Sequence, residues 1–503
     1  MEPINKESSK FSSHHVNQII AAIAVSFGPF AVGMGKGYTS PALASLQVRL
    51  GADGRRIPST NSASDLTITD QEGSWVASLS LLGALLGGIF SSLILKHGRR
   101  RILLFVSLPF SLSWLLTTIA SNVEMIYVTA FAVGFCSSIV QLATQVYISE
   151  IAHPSIRASL CSSSKVFSQV GLLTSFALGA WLNWRQLAIV CAIGPIMTFI
   201  AALNVPETPS FLVFTNQDKR AERSLRWLRG ASYYTHDAFD DDNMGVSEEL
   251  ATLHANIRMK REQRSCCSKK VVMSQLFRPL SITCGVMFFT RFSGVTAFNF
   301  YAVPIFRESF ESFNPHLAAV LTGSVQLISS AMSGILCDLV GRLPLLVISS
   351  VLMSGALAGF GVFSYFQRSD FIEATEGGAI LSYAQHDWIP LACVVTFVAA
   401  FSLGLNPISW LLIGEVFPIE YRSLGPALTT SFGYVCAFIG VKTFVDLRLW
   451  LGLFGTFWTY AVIAAIGLLF TLLYVPETKG MSLDEMEPKT CSILKSSDDP
   501  SKV

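Results

Sequence analysis

The sequence predicts an all-α membrane protein: twelve transmembrane helices in two pseudo-symmetric six-helix bundles. Three observations point there. Apolar types make up 51% of the 503 residues and charged types only 14%, against about 25% charge in soluble domains. The apolar residues gather into runs of roughly 20, the length that spans a bilayer core. The links between runs in the first half echo those in the second. This composition excludes a soluble enzyme, a fibrous protein and a disordered chain. With 36 basic against 34 acidic residues, a net charge of +2, it also argues against nucleic acid as a partner.

The elements follow in order. Residues 1–18 are polar and form an N-terminal tail, and Ile19 opens an apolar run too long for a signal-peptide core. The first bundle covers 19–205, with spans near 19–45, 73–95, 101–121, 124–148, 162–183 and 186–205. A loop with short amphipathic helices follows at 206–278, where Arg220, Glu222, Arg223 and Arg226 recur at helical spacing. The second bundle covers 279–474, with spans near 279–306, 316–338, 343–366, 388–413, 424–445 and 450–474, and a tail runs over 475–503. Pro304 and Pro407 are expected to bend their helices.

Basic residues orient the chain. Lys96, Arg99, Arg100, Arg101, Lys219, Arg220, Arg258, Lys260, Arg261, Lys269, Lys270, Arg342 and Arg422 all fall on one side of a twelve-span topology. The positive-inside rule places that side, with both termini, in the cytoplasm. The ten cysteines lie mostly within apolar runs and form no CxxC pair, so a disulfide framework is not expected. Cys266-Cys267 sits in a basic loop and is a weak candidate for acylation.

The internal echo is specific. His97-Gly98-Arg99-Arg100-Arg101 links spans two and three, and Asp338-Leu339-Val340-Gly341-Arg342 links spans eight and nine. Glu150 with Arg157 at the exit of span four matches Glu415 with Arg422 at the exit of span ten. Two related halves suit a solute carrier that rocks about a central site.

Further motifs carry a family resemblance over about residues 20–485. They are Pro206-Glu207-Thr208-Pro209, Leu225-Arg226-Trp227-Leu228-Arg229-Gly230, Tyr147-Ile148-Ser149-Glu150, Asn406-Pro407-Ile408-Ser409-Trp410, Glu415-Val416-Phe417-Pro418 and Pro476-Glu477-Thr478-Lys479-Gly480. Together they resemble the sugar porter branch of the major facilitator superfamily. Gly37-Tyr38-Thr39-Ser40-Pro41-Ala42-Leu43 resembles the first span of insect facilitated trehalose and hexose transporters within it. The resemblance implies the major facilitator fold, a plasma-membrane location, a monomer among lipid and a small-molecule solute, with no cofactor. It also implies gating charges at the cytoplasmic helix ends: Glu150, Glu207, Asp338, Glu415 and Glu477 with Arg100, Arg157, Arg342 and Arg422. The competing reading of these charges is helix anchoring or loop solvation.

Several positions depart from the family pattern. Where sugar porters carry a glutamine pair before Leu-Ser-Gly-Ile-Asn, this chain has Thr290-Arg291-Phe292-Ser293-Gly294-Val295-Thr296. The Asn-Trp pair of span eleven is Gly433-Tyr434, the Pro before Trp410 is Ser409, and the span-four Pro and Arg are Gln145 and Ala130. A neutral polyol wants groups that donate and accept, whereas Arg291 only donates and carries a permanent charge.

Charges inside spans are site candidates by default. Lys36, Arg291 and Lys442 are the intramembrane cations, and Lys165 lies near the cytoplasmic start of span five. The candidate solute contacts are Trp410, Arg291, Thr290, Thr296, Gln169, Gln326, Lys36, Tyr434, Phe300 and Asn406. Trp410 leads because an indole stacks on the apolar face of a sugar and donates one hydrogen bond. Gln141, Gln145 and Phe432 are secondary.

The sequence holds no Walker motif, no HExxH, no nucleophile triad and no metal-ligand cluster, so no enzyme activity is expected. No carboxylate stands where proton-coupled relatives place one in span one, which favours uniport. The expected function is facilitated transport of a sugar such as trehalose or a hexose. The alternatives are a carrier for an anionic or bulkier amphipathic solute, and a ligand sensor without turnover.

Overall fold

The structure is a computed structural model that describes residues 4–47, 49–50, 56–57, 66–153, 155–230, 247–255, 258, 272–310, 313–375, 388–417 and 424–477. Among these, ten helices are long and apolar enough to cross a membrane. One of them, Gly425–Tyr474, has 50 residues. At about 1.5 Å per residue that is more than twice the thickness of a bilayer core. The chain turns within it at Gly452, whose φ of 72° breaks the helix and divides spans eleven and twelve. The remaining span, Arg157–Leu178, falls short in apolarity because it carries Ser159, Ser162, Ser163, Ser164 and Lys165. Ser159, Ser162 and Lys165 are exposed, as expected of a helix that faces water rather than lipid along one side.

Twelve spans result: within Ile4–Leu46, then Asp70–Ile94, Arg99–Thr118, Val123–Ile151, Arg157–Leu178 and Trp184–Leu203 in the first bundle. Span seven joins Val272–Phe292 to Val295–Ser309, and span eight is Pro315–Val340. Span nine lies within Arg342–Thr375. Span ten runs through Trp388–Ala400, a π-helical turn at Phe401–Leu405 and Asn406–Glu415. The expected bend at Pro304 is centred on Tyr301, the one residue of its helix with non-helical dihedrals. The disturbance at Pro407 takes the form of the π turn just before it, since a helix must lose or redirect the hydrogen bond that proline cannot donate. The only strands among the described residues are Arg49–Leu50 and Arg56–Ile57, a two-residue antiparallel pair between spans one and two.

Close helix approach holds each bundle together. A Cβ on Gly33 would lie 1.9 Å from the Ser168 carbonyl, and one on Gly134 would lie 1.8 Å from the Ser80 carbonyl. Spans one and five, and two and four, therefore meet backbone to backbone, the packing that small residues permit where lipid removes the hydrophobic drive.

The two repeated Gly-Arg links have one structural explanation. Gly98 and Gly341 adopt φ of 107° and 106° at the starts of spans three and nine. The Glu207 carboxylate accepts from the Arg100 and Arg101 amides at 2.9 and 3.4 Å. The Glu477 carboxylate accepts from the Arg342 and Leu343 amides at 3.2 and 2.9 Å. Each Pro-Glu-Thr glutamate thus caps the N-terminus of a span in its own bundle, satisfying amides the helix leaves unpaired and opposing its dipole. Arg100 completes the first joint by donating to the Ala202 and Leu203 carbonyls at the end of span six.

The links rich in Lys and Arg share one face, here the basic face. The opposite, far face carries the starts of spans two and eight and the ends of spans one, seven and eleven. The short helices Pro209–Phe214 and Asp218–Leu228 lie on the basic face, where Asn17 donates to the Trp227 carbonyl at 2.7 Å. Arg229 pairs there with Glu249. The bundles meet along three seams: span one with seven, two with eleven, and five with eight.

Candidate functional site

The hydrogen bonds and ion pairs described here that cross between bundles lie in the half toward the far face; nearer the basic face Lys165 of span five lies only within electrostatic reach of Cys337 of span eight. Ser40 accepts from the Val303 amide at 2.8 Å, and Arg307 donates to the Ala44 carbonyl at 3.0 Å. Arg448 pairs with Asp70 at 2.7 Å, and Gln71 donates to Asp446 at 2.7 Å. Lys442 donates to Ser74 at 2.5 Å and to Gln71 at 3.2 Å, and lies 4.5 Å from the centre of the Trp75 ring. The five–eight seam also closes in this half, where Gly323 approaches Leu173 and Phe176. The bundles therefore converge at the far face and part toward the basic face, leaving a cleft open on that side.

Lys36 and Arg291 come from opposite bundles, and Lys36 lies within reach of the Arg291 charge, whereas the near electrostatic partners of Arg291 are Tyr434 and Cys436 of span eleven. Solvent reaches Lys36, although residues 37–40 of its helix are buried. Arg291 is half-buried, with its guanidinium 5.6 Å from the centre of the Trp410 ring. Its Nε is buried and has no hydrogen-bond partner. Tyr434 is half-buried and within its electrostatic reach. Gly433 supplies the room: a Cβ there would lie 3.8 Å from the Arg291 Nε and 3.3 Å from the Met287 sulfur. The two departures from the family pattern, Arg291 and Gly433, are thus spatially complementary. An asparagine at 433 would extend into the space the guanidinium fills.

The other candidates separate into two groups. Gln169, Thr296 and Asn406 are half-buried. Gln326 is 2% exposed and donates to Asn299 at 2.7 Å. Asn299 is a polar residue that sequence reasoning missed; a lone amide inside the apolar run of span seven was the available signal. Thr290 is buried with its hydroxyl donating to the Val286 carbonyl at 2.7 Å, so it faces its own helix. Phe300 is 5% exposed and belongs to the core. Gln145 accepts from Ser164 at 2.9 Å, and the Gln141 Oε1 is buried without a partner. Lys442 stands apart from the cleft, in the far-face contacts.

Of the expected gating charges, those described make contacts inside one bundle. Glu150 pairs with Arg99 at 2.7 Å. Arg157 donates to the Ala152 carbonyl at 3.4 Å. Glu207, Glu477, Arg100 and Arg342 take part in the helix caps. The side chains of Asp338 and Glu415, and Arg422, Cys266 and Cys267 altogether, lie outside the described residues. No group of three or more His, Cys, Asp or Glu side chains suits a metal among the described residues.

Two bundles related by a repeated link, closed at one face around a cleft with cations and an indole, are the architecture of a carrier. The family model described as "Sugar (and other) transporter" matches residues 21–489. The chain belongs to the sugar transporter family. It is 34% identical over 485 residues to the facilitated trehalose transporter Tret1 of Apis mellifera ligustica, covering 96% of this chain and 90% of that protein. It is 35% identical over 476 residues to the Tret1 of Bombyx mori, covering 94% and 87%. Among solved structures, it resembles the Escherichia coli xylose transporter XylE in its partially occluded inward-open conformation. The TM-score is 0.73 at 18% identity, with 93% of this chain and 100% of that one covered. At that identity the likeness speaks for the fold, and the fold is that of the major facilitators.

Proposed function

We propose that this sugar transporter family member carries a sugar down its gradient across the plasma membrane by alternating access. The observation that carries the reading is the one-sided closure: cross-bundle polar ties at the far face and a parted cleft at the basic face. The positive-inside rule makes the basic face cytoplasmic, so the arrangement is inward-facing with both termini inside. Trehalose and hexoses are the first solutes to consider, because the relatives at 34% and 35% identity are named for trehalose transport.

The cycle follows from the contacts. Each bundle moves as a unit, held by its glycine seams and glutamate helix caps. Releasing the Lys442, Arg448 and Gln71 ties frees the far face, and solute bound at mid-depth becomes accessible there. Closing the basic face then requires charges at the helix ends to find partners across the bundles, the role proposed for Glu150, Arg157, Glu415 and Arg422. The protein works as a monomer, since the cleft lies within one chain. Uniport is favoured because the cleft residues named above include cations and amides but no carboxylate to hold a coupling proton.

Reconstituted protein should show saturable uptake and counterflow of labelled trehalose or glucose that a pH gradient does not drive. Binding of these sugars without uptake would point to a sensor and reject the carrier reading.

A further inference from the structure

We propose that the cleft is built for an anionic sugar, a hexose-sized ring bearing a carboxylate or phosphate. This rests on the cleft being the transport site and specifies what it takes.

Spans one and seven each carry one cation into the membrane, Lys36 and Arg291; the Arg291 guanidinium stands 5.6 Å from the centre of the Trp410 ring, and Lys36 lies within reach of its charge. Like charges brought together there are costly unless an opposite charge joins them. Neither is ion-paired with a carboxylate among the described residues. The buried Arg291 Nε has no hydrogen-bond partner, so a donor remains for a ligand oxygen. Both side chains donate and neither accepts, which matches a carboxylate or phosphate and mismatches a hydroxyl that must also donate. The guanidinium carbon stands over the Trp410 ring, a cation–ring contact that holds the arginine in place. Trp410 is half-buried, and an indole so placed can serve as a platform for a sugar face. Toward the basic face, the exposed Lys165 of span five adds a third positive charge along the approach. A channel lined by one sign of charge concentrates the opposite ion. The sugar ring explains the indole; the anion explains the cations.

The test uses the full-length protein in liposomes with clamped potential, and labelled glucose, glucuronate and glucose 6-phosphate. One of the two acids should compete with glucose about tenfold more strongly than glucose competes with itself, as expected for a charge-assisted contact. The better competitor names the anionic group. For the monoanion glucuronate, equilibrium accumulation should shift roughly 50-fold per 100 mV, while glucose stays indifferent. Arg291→Gln and Lys36→Gln should each abolish the acid preference, and Arg291→Lys should keep part of it, showing that the fold survives change at this position. Glucose uptake with neither acid preferred overturns this proposal and leaves the sugar carrier intact. Failure of every probe to be transported or bound overturns the carrier reading itself.

Discussion

Lys442→Met should tip the protein toward the state open at the far face. The hydrogen bonds of Lys442 to Ser74 and Gln71 and its approach to the Trp75 ring cross between bundles, while its attraction to Asp446 stays within span eleven. Methionine keeps the stem and removes the charge. The hydrogen bonds are charge-assisted but only half-buried, so about 1 kcal/mol is a fair value after screening. The cation–ring contact adds roughly 0.5–1 kcal/mol. A loss of about 1.5–2 kcal/mol shifts a two-state equilibrium roughly 10- to 30-fold. The Arg448–Asp70 and Gln71–Asp446 ties remain, so the seam weakens without falling apart. The reporter is Ala44→Cys, a position 3% exposed on the far-face seam between spans one and seven, where its carbonyl accepts from Arg307. A membrane-impermeant maleimide applied from the far side, read by peptide mass so that native cysteines do not count, should label it about 10-fold faster in the Lys442→Met background. A rate within twofold of the parent would refute the idea that these ties hold the far face shut.

Other expectations follow from the same geometry. Glu207→Gln weakens the cap on span three and should lower thermal stability in detergent by about 1–2 kcal/mol, with Glu477→Gln behaving alike in the second bundle. An unchanged melting temperature in both would reject the caps as anchors. Gly33→Ala should cost roughly 1–3 kcal/mol through overpacking of the one–five seam; a monodisperse, normally stable protein would show that the seam relaxes freely. Trp410→Ala should weaken solute affinity far more than it lowers surface expression, measured by binding to purified protein, and equal losses would remove it from the site.

Much of the architecture was legible because lipid imposes simple rules. Span number and the two halves follow from apolar run lengths, and Gly98 and Gly341 advertise their turns; the first helix, by contrast, already starts at Ile4, inside the stretch expected as a polar tail. The helix-end charges were harder. Glu207 and Arg342 look alike as gate or anchor when read as letters, and only the positions of the Arg100 and Leu343 amides distinguish the roles in this state. Glu150 was matched with Arg157 by spacing along the chain, yet Arg99 reaches it first because span three starts beside the end of span four. Thr290 and Phe300 had the right residue types and neighbours for a contact. A helix turns 100° per residue, however, and these two face inward while Arg291 faces the cleft.

The sequence alone determined that this is a two-bundle carrier with few charges in its spans, since burying backbone and charge in lipid leaves little choice of architecture. Tertiary structure decided which charges act together. Lys442 joined Gln71 and Ser74 in a tie between bundles, and Arg99 rather than Arg157 paired with Glu150. Those assignments depend on how helices and bundles lean against one another, a long-range geometry that no local pattern encodes.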